Sequence, residues 1–202
     1  MTTKNENKYG IKIDDEQLLK PSLLNRYDYT NNFTRIKTMA YWLIKSNPRC
    51  FNIEDLQRAG TEMWDGVRNY RARNFMRDDM KVDDKAFFYH SSAKPSGVAG
   101  IVTISKAGYP DPTQFHPEHR HYDPKATEDE PRWYMVDVTF EQAFTDILPL
   151  AQLKFLPALE DSLLLRKGCE QLTILPLEPK HWNTIMDMAE ELNLLPNSPS
   201  AI

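Results

Sequence analysis

Residues 63–77, MWDGVRNYRARNFMR, gather side chains suited to a polyanion and a flat ring. Arg68, Arg71, Arg73 and Arg77 carry planar cationic forks that match phosphate oxygens. Asn69 and Asn74 stand between them and can bond the same oxygens. No acidic residue lies between Gly66 and Arg77, so Arg68, Arg71 and Arg73 lack acidic partners at i±4. A helix opening near Arg68–Tyr70 would add backbone N–H donors for an anion. Trp64 precedes Gly66, in a connecting segment, where its ring is free to stack on a base. The plain alternative is an amphipathic helix with Tyr70 and Phe75 turned inward and the arginines in water.

Other groupings are weaker. His116, His119 and His121 in HPEHRHYD could ligate a transition metal, but Pro117 and the lack of periodicity argue for a solvated loop. Cys50 beside Arg49 could be a nucleophile only with a base such as His90 at hand, and a structural cysteine is the commoner case. Seven glycines form neither G-x-x-x-x-G-K-[ST] nor G-x-G-x-x-G, which excludes nucleotide binding by those loops. Gly97-Val98-Ala99-Gly100 has the spacing of an RNA-clamping loop but lies inside an apolar strand. No Ser-centred nucleophile elbow is present.

These residues need elements to position them. Tyr41–Ile44 is a short buried-strand run stopped by Ser46-Asn47-Pro48. NIEDLQRAG reads as a helix with Asn52 as N-cap and Gly60 as its stop. A second helix runs from Asn69 to about Asp78. KAFFYHSS and SGVAGIVTISKA are strands joined by a turn at Lys94–Gly97. Five prolines mark residues 107–131 as a long loop. RWYMVDVTFEQAF is a long strand, residues 157–167 a helix, LTILPL a strand and 178–193 a helix with Trp182, Ile185, Met186 and Ala189 on one face. Helices and strands mix without regular βαβ alternation, which predicts a small α+β domain around a curved or closed sheet.

The chain has 202 residues, a formal charge of −4 and two unpaired-looking cysteines, Cys50 and Cys169. That balance leaves any nucleic-acid surface local and argues against a disulfide framework. The polar N-terminus lacks a secretory h-region, and no apolar run spans a bilayer. The expectation is an intracellular protein with no membrane partner, cytoplasmic, or nuclear in a eukaryote. Residues 1–38 follow no sustained period and read as a weakly ordered or disordered extension, with the domain at 39–202.

YWLIKSNP, MWDGVRNYRARNFMR, FFYHSS with GVAGIV, GYPDPTQF and PRWYMVDVTF together resemble the EVE domain family, over roughly residues 41–192. The resemblance implies a PUA-like β-barrel flanked by helices, kinship with YTH domains that cage a methylated adenine, and no cofactor. It implies a non-catalytic reader of a modified base, in DNA or RNA, such as methylated cytosine. Trp64 then stands where the relatives have a cage tryptophan, and Ser46 and Asn47 where they touch a base edge. His90, Ser91 and Tyr109 complete the candidate base pocket; Arg68, Asn69, Arg71, Arg73 and Asn74 are the candidate phosphate contacts. The YTH cage has a further tryptophan in the loop that here holds Tyr109, Phe115 and Tyr122. The alternative is a hydrolase acting on modified nucleosides in the same pocket, with Lys45, His90 and Asp137 as its titratable groups. A third reading is a protein-interaction module using residues 1–38 or the C-terminal helix.

Overall fold

The computed structural model describes residues 39–196, and the expected extension at 1–38 lies outside them. Six strands form one sheet in the order β2-β5-β4-β3-β1-β6. The strands are β1 (Tyr41–Ser46), β2 (Thr61–Met63), β3 (Lys85–His90), β4 (Gly97–Pro110), β5 (Tyr134–Pro149) and β6 (Ile174–Leu177). Four α-helices accompany them: α1 (Ile53–Ala59), α2 (Tyr70–Asn74), α3 (Leu150–Leu153) and α4 (Pro179–Glu191). Among the described residues only β1 and β3 pair in parallel; the other ladders are antiparallel. The α+β class is as expected. The closed barrel is not seen: among the described residues no ladder joins β2 to β6. Repeated register shifts between β4 and β5 mark bulges, which bend a sheet without closing it.

The unbroken apolar runs of β1 and β3 follow from a sheet covered on both faces. Trp42, Ile44, Ala86 and Phe88 join Ile53 and Leu56 of α1 and Ala72 of α2 in one core. Leu43, Phe87 and Tyr89 point the other way and meet Trp182, Ile185 and Ala189 of α4. Phe87 and Trp182 stack with centroids 4.0 Å apart. Helix α1 starts where the sequence places it: Asn52 accepts the Asp55 N–H at 2.7 Å, and Asp55 returns the bond to the Asn52 N–H at 2.9 Å.

Three expectations are corrected. Residues 157–167 do not form an α-helix: one 3-10 turn spans Pro157–Leu159 and further turns follow. The Ser162 hydroxyl accepts the Leu164 N–H at 3.2 Å, a local bond that competes with the helical ladder. The segment expected as a helix to Asp78 divides into α2 and a π-helical turn, Phe75–Asp79. The expected loop from residue 107 begins as strand, because Tyr109 and Pro110 pair with Met135 and Tyr134. Its next residues are fixed by Gln114, which is fully buried. Gln114 Nε2 donates to the Asp111 and Trp133 carbonyls at 2.7 and 2.9 Å, and Oε1 accepts the Arg132 and Trp133 N–H groups, each at 2.9 Å. β2 and α3 are short elements that no sequence period announced.

Candidate nucleic-acid interface

A cavity of about 450 Å³ opens at the C-terminal end of β1. Its walls are the β1–α1 turn (Lys45, Ser46, Asn47, Cys50, Phe51), the segment from Glu62 to Asn69, and Arg120, His121 and Thr173. The sequence candidates Ser46, Asn47, Trp64, Arg68 and Asn69 therefore share one cavity.

The first wall is built by local hydrogen bonds. Ser46 Oγ donates to the Phe51 carbonyl at 2.6 Å, and the Ser46 carbonyl accepts both the backbone N–H and the hydroxyl of Ser91. Asn47 Oδ1 accepts the Arg49 N–H at 3.1 Å; its amide nitrogen makes no hydrogen bond among the described residues. On the second wall, Trp64 extends β2, its backbone N–H bonding the Val136 carbonyl at 2.8 Å. Its ring meets Phe88 edge-on, 5.6 Å between centroids and 82° between planes, which fixes its orientation. Glu62, two residues earlier, stands on the same face of the strand. Burial, then Asp65 and Asp137, push its carboxyl up.

A buried carboxylate, Asp111, latches the third wall to the second. It accepts the Gly66 N–H at 3.0 Å, Arg68 Nη1 at 2.7 Å, and the backbone and hydroxyl of Thr113. Burial raises the Asp111 carboxyl, and these bonds more than offset it, holding it below the usual carboxylate range. Gly66 has φ +71° and lies against the His121 ring, where a Cβ would sit 2.1 Å from Cε1. His121 Nδ1 is buried against this glycine with no hydrogen-bond partner among the described residues. Burial, then Arg120 and Arg68, hold the His121 imidazole below its ordinary value.

The remaining candidates lie elsewhere. Arg68 lines the cavity, but its guanidinium is occupied: besides Asp111, it donates to Thr113 Oγ1 at 2.9 Å and twice to the His121 carbonyl, at 2.9 and 2.6 Å. Asn69 is the N-cap of α2, accepting the Arg71 and Ala72 N–H groups. Arg73 donates to Asn74 and to the Arg132 carbonyl and lies over Tyr70. Arg71 is exposed and lies over Phe75. Neither it, Arg73 nor Asn74 lines the cavity. His90 is buried and its Nε2 accepts the Ile53 N–H at 3.2 Å, capping α1; burial lowers its pKa. Tyr109 donates to Asp137, and burial and that carboxylate push its hydroxyl up. Ser91 lines a neighbouring cavity of about 340 Å³, which shares Lys45 and Thr173 with the first. Lys45, His90 and Asp137 do not converge, since only Lys45 borders the cavity.

Sequence reasoning missed Phe51, Glu62, Arg120 and His121 on the cavity wall. His121 could have been found from its pairing with Gly66 only if the fold were known. His119 and His121 meet edge-on at 5.2 Å, with His119 Nδ1 accepting the His121 N–H, rather than forming a metal site. Among the described residues the group able to share an ion is Asp161, Glu178 and His181. Lys180 already ion-pairs with both acids, and both His181 ring nitrogens are engaged.

The EVE domain pattern matches residues 40–188. Thymocyte nuclear protein 1 of human is 43% identical over 163 residues, 75% of this chain and 69% of that protein. The mouse protein of that name is 50% identical over 125 residues, and the chain spans only 55% of its length. A crystal structure of a Pseudomonas putida protein has a TM-score of 0.71 at 47% identity, covering 74% of this chain and 99% of that one. Human THYN1 protein in complex with 5-methylcytosine-containing DNA has a TM-score of 0.69 at 40% identity, covering 75% and 98%. No helix among the described residues is long and apolar enough to cross a membrane.

Proposed function

The chain belongs to the EVE domain family, and we propose that it is a non-catalytic reader of a modified base in DNA or RNA. The observation that carries this reading is the cavity shared by Trp64 and Asn47. Its volume of about 450 Å³ lies within the span of ordinary ligand pockets, about 300–1,000 Å³. A base flipped out of its stack would lie on the Trp64 ring, with Phe51 on the neighbouring wall. Asn47 would bond its edge through the amide nitrogen left free. The solved complex of the human relative with methylated DNA supports the same substrate class. A PUA-like barrel remains part of this reading, as does residence where nucleic acid is found, cytoplasm or nucleus. Residues 1–38 would be an extension to the domain.

The phosphate contacts are reassigned within this reading. Arg120 borders the cavity and makes no hydrogen bond or ion pair among the described residues. It is therefore better placed for a phosphate than Arg68, whose donors are occupied. Fluorescence anisotropy with oligonucleotides carrying one 5-methylcytosine, and their unmodified counterparts, tests the proposal. Tighter binding to the modified strand is expected, with Trp64→Ala weakening it by roughly 5- to 150-fold, the equivalent of about 1–3 kcal/mol of stacking. Equal weak binding to all strands, unchanged by the substitution, refutes it.

A further inference from the structure

Resting on the base-reading function, we propose that Glu62 selects the ring: it reads an exocyclic amine beside a ring nitrogen, so the pocket takes cytosine-type bases and rejects thymine and uracil. A carboxyl on the wall of a nucleic-acid pocket repels phosphate, so its presence there needs a reason. Glu62 is half-buried and lines the cavity beside Trp64. Its carboxyl makes no hydrogen bond or ion pair among the described residues, although Lys45, Arg68 and Arg120 border the same cavity. Asp111 is engaged with Gly66, Arg68 and Thr113, and Asp137 with Tyr109; Asp65 also borders the cavity but is exposed to water, unlike the half-buried Glu62. The Glu62 carboxyl is thus held half-buried on the pocket wall without a protein partner, open to a donor on a bound ring.

The chemistry matches one class of base edge. Cytosine offers an N4 amine donor next to the N3 acceptor; thymine and uracil offer an O4 acceptor next to an N3 donor. An ionised carboxylate is an acceptor only: it takes a hydrogen bond from the amine and has no proton to offer a carbonyl. Against O4, the carboxylate oxygen meets a lone pair and the contact is lost. The strand geometry puts reader and platform together: Glu62 pairs with Val138 in the β2–β5 ladder, and Trp64 follows on the same face. A base lying on the Trp64 ring would present its edge, not its face, to that wall.

The test compares three oligonucleotides that differ at one position, holding 5-methylcytosine, cytosine or thymine. Thymine carries the same methyl group on the same ring, so it isolates the amine. The wild type should bind 5-methylcytosine over thymine by roughly 10- to 150-fold, the worth of one hydrogen bond to a charged group. Glu62→Gln keeps the volume and can turn its amide either way, so the ratio should fall towards one while binding to 5-methylcytosine weakens less than in Trp64→Ala. Thermal melts of each variant establish folding. An unchanged ratio in Glu62→Gln overturns the assignment and leaves the base-reading function standing. A wild type that does not distinguish 5-methylcytosine from cytosine, and is indifferent to Trp64→Ala, overturns both.

Discussion

Replacing Gly66 by alanine should cost more than the same change at Gly60, and the difference should vanish when His121 is removed. Both glycines have positive φ, +75° at Gly60 and +71° at Gly66, so both alanines carry a backbone penalty of about 1–3 kcal/mol. At Gly60 nothing lies within 4 Å of the added Cβ. At Gly66 the Cβ would stand 2.1 Å from His121 Cε1 and 2.4 Å from Nδ1. Ordinary carbon contacts need about 3.5–4.0 Å, so the ring must retreat by about 1.5 Å. If the backbone around His121 retreats with it, the two bonds from Arg68 to the His121 carbonyl are strained or lost. Each bond of that charged kind is worth about 1.5–3 kcal/mol. We therefore expect Gly66→Ala to cost about 3–5 kcal/mol in all, against about 1–3 for Gly60→Ala. For a chain of this size that separates the melting temperatures by roughly 5–10 °C. The assay is urea denaturation of Gly66→Ala, His121→Ala and the double variant, with Gly60→Ala alongside. A coupling of about 1–3 kcal/mol between Gly66→Ala and His121→Ala is expected. Additivity within about 0.5 kcal/mol would show that the ring contact imposes no constraint, and the account of how the third wall is held would fail.

The two arginines on the cavity should separate stability from binding. Arg68→Ala strips a fully buried carboxylate of its ion pair and should cost about 3 kcal/mol of stability, measured by thermal melting. Arg120→Ala should leave the melt unchanged while weakening nucleic-acid binding and lowering the salt slope of log K by about one. The reverse pattern would return the phosphate role to Arg68. A pH effect follows from His90 and His121, whose native pKa values are both depressed, chiefly by burial. The unfolded chain takes up protons on these rings below its pKa of about 6.5, while the native chain resists until lower pH. Their contribution to stability is complete above that pH and is lost as pH falls through the native values. Melts between pH 7.5 and 5 should show this loss, and His90→Gln with His121→Gln should flatten it; an unaltered slope rejects the assignment.

How much of this was legible in the sequence depended on how far each residue's partners lie along the chain. The Asn52 cap, the two-faced runs of β1 and β3 and the apolar face of α4 depend on neighbours within a few positions, or on burial alone, and the sequence displayed them. The 157–167 segment failed because its leucines satisfy a helical period while the core is reached by turns, with Leu159 and Leu164 buried and a Ser162 side-chain bond between them. Strand β4 was cut short because Gly108 and Pro110 look like loop residues; only pairing with β5, distant in sequence, makes them strand.

The arginine-rich stretch shows the same limit in charge. Arg68, Arg71 and Arg73 lack acidic partners at i±4, and that observation is correct. Free of local partners is not free of partners, however. Arg68 finds Asp111, Thr113 and the His121 carbonyl, and Arg73 finds the Arg132 carbonyl, all more than forty positions away. A guanidinium with five donors in a fixed fork suits this work, bonding several oxygens from a loop at once. The cluster thus has a structural duty that its composition did not reveal. It fastens the segment carrying Arg120 and His121 beside Trp64, and so supplies a cavity wall. A phosphate contact is then best sought outside the stretch, at Arg120, which borders the cavity with its donors unspent among the described residues.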